Sequence, residues 1–456
     1  MKTCFQKLLL LSAIVVSLAS SGLATAQNFN CWPVTRVAAG ANHSLFTKSD
    51  GTLFVMGDNS FGQLGLGPVL TSVNVPQPLT NGVSTLSAGQ AHSLFVMNRA
   101  LWAMGDNSGG ELGDGTTTTR YFPEQVFALG RGLNFTGIAA GGYHSLFATA
   151  SLTGGTLRTM GDNNLGELGD GTYISESTPE IVLTSSPGAV AKAAAGGYSH
   201  NLLIRADGTL WGMGSSESGQ LGSGPFSILN LPEPLGTVSN FVVAVAAGYA
   251  HSLYIKPDGS LWATGSSTYG QLGDGSVPSK FSEVQILPGN VVAVAAGYYH
   301  SLIIESDGSL WGMGMNDYGQ LGDGTSTDRN VPELIVPGNV VAVAAGEFHS
   351  FFIMSDGSLW GMGYNGYGQL GTGDYVDRHV PVEIVAPPPL LNIAPASSNL
   401  VFTWPSNAVG FALYSTTDLT PPATWTSNSV TPVLVGNQFV VTNPVSGPRK
   451  YFRLGL

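Results

Sequence analysis

The sequence predicts an all-β fold: a seven-bladed β-propeller of four-stranded blades, followed by a small all-β C-terminal module. Three observations carry that prediction. Histidine returns seven times behind a glycine, at His43, His92, His144, His200, His251, His300 and His349, in steps of 49 to 56 residues. Asp-Gly pairs split short apolar runs at Asp50-Gly51, Asp207-Gly208, Asp258-Gly259, Asp307-Gly308 and Asp356-Gly357. The chain has 62 glycines and only 10% charged residues, a composition suited to short strands joined by tight turns.

One period, Val291 to Val336, shows the elements in order. VVAVAAG, HSLIIES, SLWGMGMNDYGQLGDGT and VPELIV follow one another, with Asp307-Gly308 between the second and the third. This gives four strands, the last one weaker. Asp-Gly between two runs predicts a hairpin in which both turn residues take positive φ. The second repeat lacks that pair and uses Met97-Asn98-Arg99 instead. Seven four-stranded units bury their faces by radial stacking, whereas hairpins inside each repeat fit a β-solenoid poorly. Residues 33–37 (PVTRV) are candidates to complete the closing joint.

The propeller is expected over residues 27–386, with other segments at each end. Residues 1–26 read as a secretory signal: Lys2 and Lys7, the apolar run LLLLSAIVVSLA, then Ala24-Thr25-Ala26. The run is too short to span a bilayer comfortably, and no later segment offers a membrane span. A secreted, periplasmic or cell-surface location follows. Without Lys2 and Lys7 the formal charge of −12 becomes −14, which argues against nucleic acid as a partner. Cys4 leaves with the signal, so Cys31 stands alone and is expected to be buried. Residues 387–390 form a proline-rich linker. Residues 391–456, with NLVFTW, GFALYST, TWTSNS, QFVVTN and KYFRLGL, read as the small β module.

The repeat units resemble a known family. A-G-x-x-H-S-L, then D-G-x-L-W-x-x-G, then G-Q-L-G-x-G is similar to the regulator of chromosome condensation repeat. The second half stands as LWGMGMNDYGQLGDG at 310–324 and LWGMGYNGYGQLGTG at 359–373. The likeness spans about residues 34–386 and implies seven blades. With the N-terminal signal, and a C-terminal module similar to those that end many exported bacterial proteins, the chain reads as an exported, bacterial-type member with an added module. Phe54 and Arg158 replace the repeat tryptophan in the first and third copies.

Sevenfold repetition argues against chemistry at the histidines. Zinc needs three or four ligands on one ion, and seven blades disperse the imidazoles, so no metal or cofactor is expected. The serine after most of these histidines points to the opposite strand face, which does not build a triad. The histidines are read as structural, with ring nitrogens tied to neighbouring backbone. Trp102, Trp211, Trp262, Trp311 and Trp360 are read as packing between blades. A photoreceptor of this family uses clustered tryptophans within G-W-R-H-T, and the corresponding slots here read Gly-Tyr-Ala-His or Gly-Tyr-Tyr-His. GDN and GDGT loops are explained by turn chemistry rather than calcium. His379 lies outside the pattern and is expected in a surface loop.

Asymmetry enters at the two residues between glycine and histidine. From the third repeat they supply Tyr143, Tyr198, Tyr249, Tyr298, Tyr299 and Phe348, the candidate binding residues. Phe61, Tyr269, Tyr318 and Tyr367 form a second set before the GQLG turn. The expectation is a secreted, non-enzymatic, monomeric protein that engages a protein partner through one propeller rim. Family resemblance also allows guanine-nucleotide exchange on a small GTPase, against which export and acidity weigh. A carbohydrate-binding role is the other alternative.

Overall fold

The computed structural model describes residues 14–15, 33–151, 154–185, 191–224, 227–236, 241–387, 389, 391–396, 399–405, 411–417, 424–428, 430–444 and 450–455. The expected signal segment lies outside the described residues except for Ile14–Val15, and Cys31 lies outside them too. Two compact units emerge: Val34–Val385, and a second holding Ala386–Leu456 together with the first 33 residues.

Unit Val34–Val385 contains seven four-stranded antiparallel sheets, each built from four consecutive strands. Blade 6 is typical, with strands Val291–Ala296, His300–Glu305, Leu310–Gly314 and Arg329–Val336. These match the four runs read from the sequence. The first strands of all seven blades surround one axial cavity, lined mainly by their Ala and Gly residues.

Seven apolar clusters hold the blades, one at each junction. Leu45, Leu53 and Val55 of blade 1 meet Val83, Phe95 and Met104 of blade 2. Phe46 and Met56 face the other way, onto Phe351, Ile353 and Leu359 of blade 7. Alternate side chains of one strand thus feed two junctions. Both faces of each blade are covered, so the second strand reads as an unbroken apolar run.

The hairpins correct one expectation. In the Asp-Gly hairpins only glycine takes positive φ, as at Gly51 (82°) and Gly308 (81°). Gly51 N–H donates to the Lys48 carbonyl, and Lys48 N–H donates to the Thr52 carbonyl. The loop is therefore three residues, a tight turn ending in a left-handed glycine bulge, and Asp stays right-handed. The two-residue turn with both φ positive occurs in blade 2 instead, at Asn98 (52°) and Arg99 (63°). There the Arg99 guanidinium donates to the carbonyls of Gly130 and Leu133.

Ring closure needs no exchanged strand. Val34 N–H of blade 1 donates to the Gly357 carbonyl in the blade 7 hairpin at 3.0 Å. Val83 to Gly51 and Val340 to Gly308 repeat that bond at other junctions.

The second unit has two small antiparallel sheets. One holds Asn392–Ala396, Asn399–Pro405, Gln438–Pro444 and Val433–Val435. The other holds Ala412–Thr416, Tyr451–Gly455, Thr426–Ser427 and Ile14–Val15. Leu400, Phe402, Trp404, Leu413, Val441 and Phe452 form its core. Among the described residues no helix is long and apolar enough to cross a membrane.

Candidate functional site

In an antiparallel meander, the first–second and third–fourth connections share one end of every blade. That end is the aromatic face. Its foundation is a belt of buried histidines. His43 Nε2 lies 2.9 Å from Ser93 Oγ of blade 2. His92 meets Ser145, His144 meets Asn201, His200 meets Ser252, His251 meets Ser301 and His300 meets Ser350. His349 meets Ser44 of blade 1 and closes the ring.

Proton accounting fixes the tautomer. Ser93 Oγ donates its one proton to the Gln63 carbonyl at 2.7 Å, so it accepts from His43. Ser252, Ser301 and Ser350 do the same with Gln220, Gln271 and Gln320. In blade 4, Asn201 donates to the Glu167 carbonyl through its amide nitrogen and accepts through its oxygen. His43, His144, His200, His251 and His300 are thus Nε2–H donors, and Nδ1 of His43, His92, His200, His251, His300 and His349 has no hydrogen-bond partner. Burial holds His43, His92, His200, His300 and His349 down to about 3, and His251 to about 4. The Nε2 atoms thus bind serine side chains of the next blade, or Asn201 in the case of His144, not the backbone as expected.

A second tie runs along the backbone above this belt. Ala41 N–H donates to the Gly89 carbonyl, Tyr198 N–H to Gly248, Tyr298 N–H to Gly346 and Glu347 N–H to Gly40. The glycine before each pair is required by this approach. A Cβ on Gly248 would lie 2.3 Å from the Gly297 carbonyl oxygen and 2.4 Å from His251 Cε1.

Aromatic rings cover the belt on blades 3 to 7. Tyr143 meets Tyr198 edge-on at 5.8 Å, and Tyr198 meets Tyr249 at 4.5 Å and Tyr298 at 5.8 Å. Tyr249 reaches Tyr299 at 5.4 Å, and Tyr299 reaches Tyr269 and Phe348. The chain of contacts continues through Tyr318 and Tyr364 to Tyr367. All six candidate binding residues join this one surface, and each is half-buried. They pack across blades and stay accessible at once. Phe61 is exposed on blade 1.

Sequence reasoning missed four members. Tyr364 sits outside the two aromatic slots. Glu347, beside Phe348, lies among the rings: burial raises its carboxyl, and its charge helps raise the phenols of Tyr198, Tyr249, Tyr298 and Tyr299. Glu111 and Glu167 replace the glutamine of GQLG in blades 2 and 3. In blade 1 the Gln63 amide donates to Asp58 at 2.9 Å. A glutamate cannot donate when ionised, and burial plus nearby aspartates push Glu111 and Glu167 up to about 7. The signal was the change from GQLG to GELG.

The remaining candidates are engaged elsewhere. The five tryptophans pack at blade junctions on the outer strands. Trp211, Trp262, Trp311 and Trp360 donate their indole N–H to the hydroxyl two residues before, at 2.9–3.0 Å. Trp102 lacks this partner because blade 2 lacks the Asp-Gly-Ser/Thr turn. GDGT aspartates hold Asn, Thr and Arg, as where Asp114 binds Asn107 and Arg120. Among the described residues no group of three His, Cys, Asp or Glu is placed to hold a metal. His379 is exposed but belongs to the strand Arg378–Val385, not to a loop.

Sevenfold blade geometry with this repeat motif identifies the family. The profile of the RCC1-like domain matches residues 100–409. The chain belongs to the RCC1-like domain family. The regulator of chromosome condensation (RCC1) repeat also matches residues 34–63 and 50–96. This RCC1-like chain is 30% identical over 262 residues to the ultraviolet-B receptor UVR8 of Arabidopsis thaliana, covering 55% of the chain and 57% of the receptor. It is 31% identical over 257 residues to the human probable E3 ubiquitin-protein ligase HERC6, covering 54% and 24%. It thus spans just over half of the first relative and a quarter of the second. Among solved structures, human WBSCR16 aligns with TM-score 0.65 at 24% identity, covering 75% of this chain and 96% of that one. Yeast RCC1 (Prp20), solved bound to Kap60, aligns with TM-score 0.64 at 21% identity, covering 81% and 90%. These likenesses establish the RCC1-like propeller fold.

Proposed function

We propose that this chain is an exported, non-enzymatic binding protein whose aromatic face engages a protein partner. The observation that carries the reading is the continuous run of accessible rings from Tyr143 to Tyr367. Tyrosine supplies a broad apolar surface with a polar tip at little entropic cost, which suits it to interfaces. The buried polar groups beneath support the same reading: the seven histidines are spent on blade-to-blade bonds and held neutral, which leaves them unsuited to base catalysis. Yeast RCC1 in complex with Kap60 is a family precedent for protein binding. Export rests on residues 1–26, and a monomeric state on the ring closing upon itself.

The purified chain, immobilised and exposed to the producing organism's culture supernatant, should retain one protein stoichiometrically. Tyr249→Ala and Tyr299→Ala should lose it while melting within a few degrees of the parent. Retention of glycans alone would replace this reading with the carbohydrate one. Accelerated nucleotide release from a small GTPase would replace it with the exchange-factor reading.

A further inference from the structure

The aromatic face has a centre, and its chemistry is one-sided. The axial cavity opens there between Gln90, Tyr198 and Tyr298, above the Ala-Gly pairs of the first strands. Two polar atoms at this mouth, the amide oxygen Gln90 Oε1 and the phenol oxygen Tyr298 Oη, are buried and without a hydrogen-bond partner. A buried polar atom left unpaired is destabilising, so such atoms mark a place where something else completes the bonding. Glu347, on the blade after Tyr298, lies near enough for its charge to help raise that phenol, and no described cation forms an ion pair with it.

Cations on this side of the propeller are already committed. Arg120, Lys280, Arg329 and Arg378 stand at the starts of fourth strands, on the outer rim. Each is paired with an aspartate of its own loop: Asp114, Asp274, Asp323 and Asp374. Towards blades 2 and 3 the face adds the carboxyls of Asp106 and Asp162. The mouth therefore presents negative charge, π faces and lone pairs. That set is complementary to a desolvated cation, which tyrosine rings bind through their quadrupoles.

Building on the partner reading above, we infer that the axial mouth accepts a lysine or arginine side chain presented by the protein partner. Its charged head would meet the Glu347 carboxylate, Tyr298 Oη and Gln90 Oε1, and its stem would lie against Tyr198 and Tyr249. The extent of the rings favours a side chain over a free small amine. Ring contacts run on from the mouth to Tyr367 on blade 7, far beyond what one ammonium group covers, so a longer polypeptide must present it. The chain's overall charge of −12 attracts such a partner over distance.

The test uses the full chain and short capped glycine peptides carrying one central lysine, arginine, norleucine or glutamate, with binding followed by calorimetry and tyrosine fluorescence. Lysine and arginine peptides should bind about tenfold or more tighter than norleucine, and glutamate should not bind. Glu347→Gln, which preserves shape, should remove that preference, and Gln90→Leu should weaken binding independently. Equal binding of norleucine and lysine peptides, an unchanged lysine affinity in Glu347→Gln, or no binding of any peptide at millimolar concentration would overturn the inference. If neutral and basic peptides bind alike and both are lost in Tyr249→Ala, the aromatic docking reading survives and only the cation inference falls. Binding of oligosaccharides in place of all peptides removes both.

Discussion

Acidification should destabilise the propeller through its histidine belt. In the unfolded chain an imidazole titrates near 6.5, whereas the folded values are about 3 for five belt histidines and about 4 for His251. Below 6.5 the unfolded chain binds protons that the folded one refuses. The belt's contribution is thus complete above pH 6.5 and is lost as pH falls towards the folded values. Between about pH 7.5 and about pH 5.5 each of these six costs roughly 1.4 kcal/mol, or about 8 kcal/mol together. Glu111 and Glu167 act in the opposite sense. Their folded values, about 7 against 4.5 unfolded, penalise the fold at high pH, and acidification returns roughly 2 kcal/mol each. A net loss of about 4 kcal/mol remains, a large part of the roughly 5–15 kcal/mol typical of a folded protein. Denaturant midpoints at the two pH values check this, with calorimetry in buffers of different ionisation enthalpy counting roughly four protons taken up on unfolding near pH 5.5. Stability that is flat or rising on acidification, or belt imidazole resonances that titrate near 6.5 in the folded chain, would refute the reasoning.

Other substitutions test single contacts. Gly248→Ala drives a methyl into the Gly297 carbonyl and His251, both fixed by the belt, and should cost about 3 kcal/mol or more by denaturation. Gly289→Ala meets nothing nearer than 3.6 Å at ordinary φ and should be neutral or stabilising by up to about 1 kcal/mol. Glu111→Gln restores a donor towards Asp106 and removes a buried charge. It should raise stability by about 1–3 kcal/mol near pH 8 and by little near pH 5, where Glu111 is already protonated. Trp404→Ala should cost about 3–5 kcal/mol in the second unit, read by its own melting step.

The blades were legible because their signals are local. Asp-Gly, the HSLII-type run and LWGMG each specify a strand or turn within a few residues. The turn subtype was misread because Asp-Gly alone does not say whether two or three residues span the hairpin. The belt was illegible for another reason. His43 and Ser93 lie 50 residues apart, and only the stacking of blades makes them neighbours. The aromatic surface was half legible. Tyr143, Tyr198, Tyr249, Tyr298, Tyr299 and Phe348 stand at two adjacent repeat positions between glycine and histidine, so periodicity groups them. Tyr364 comes from a different slot, and Glu347 gains meaning only once rings from other blades enclose it.

The junction between blades 7 and 1 has the same kinds of part as those elsewhere in the ring: an apolar cluster, a bond from a buried histidine to the neighbouring blade, and a backbone bond to a hairpin. The chain's two ends therefore leave no mark on the ring. Covalent order and mechanical order come apart, and a permuted chain that begins at blade 4 and rejoins blades 7 and 1 by a short linker has all the same joints to make. Nor is there a built-in seam at which the ring must open first. Where it opens is decided by local sequence, such as the glutamates of blades 2 and 3, and not by where the polypeptide happens to begin.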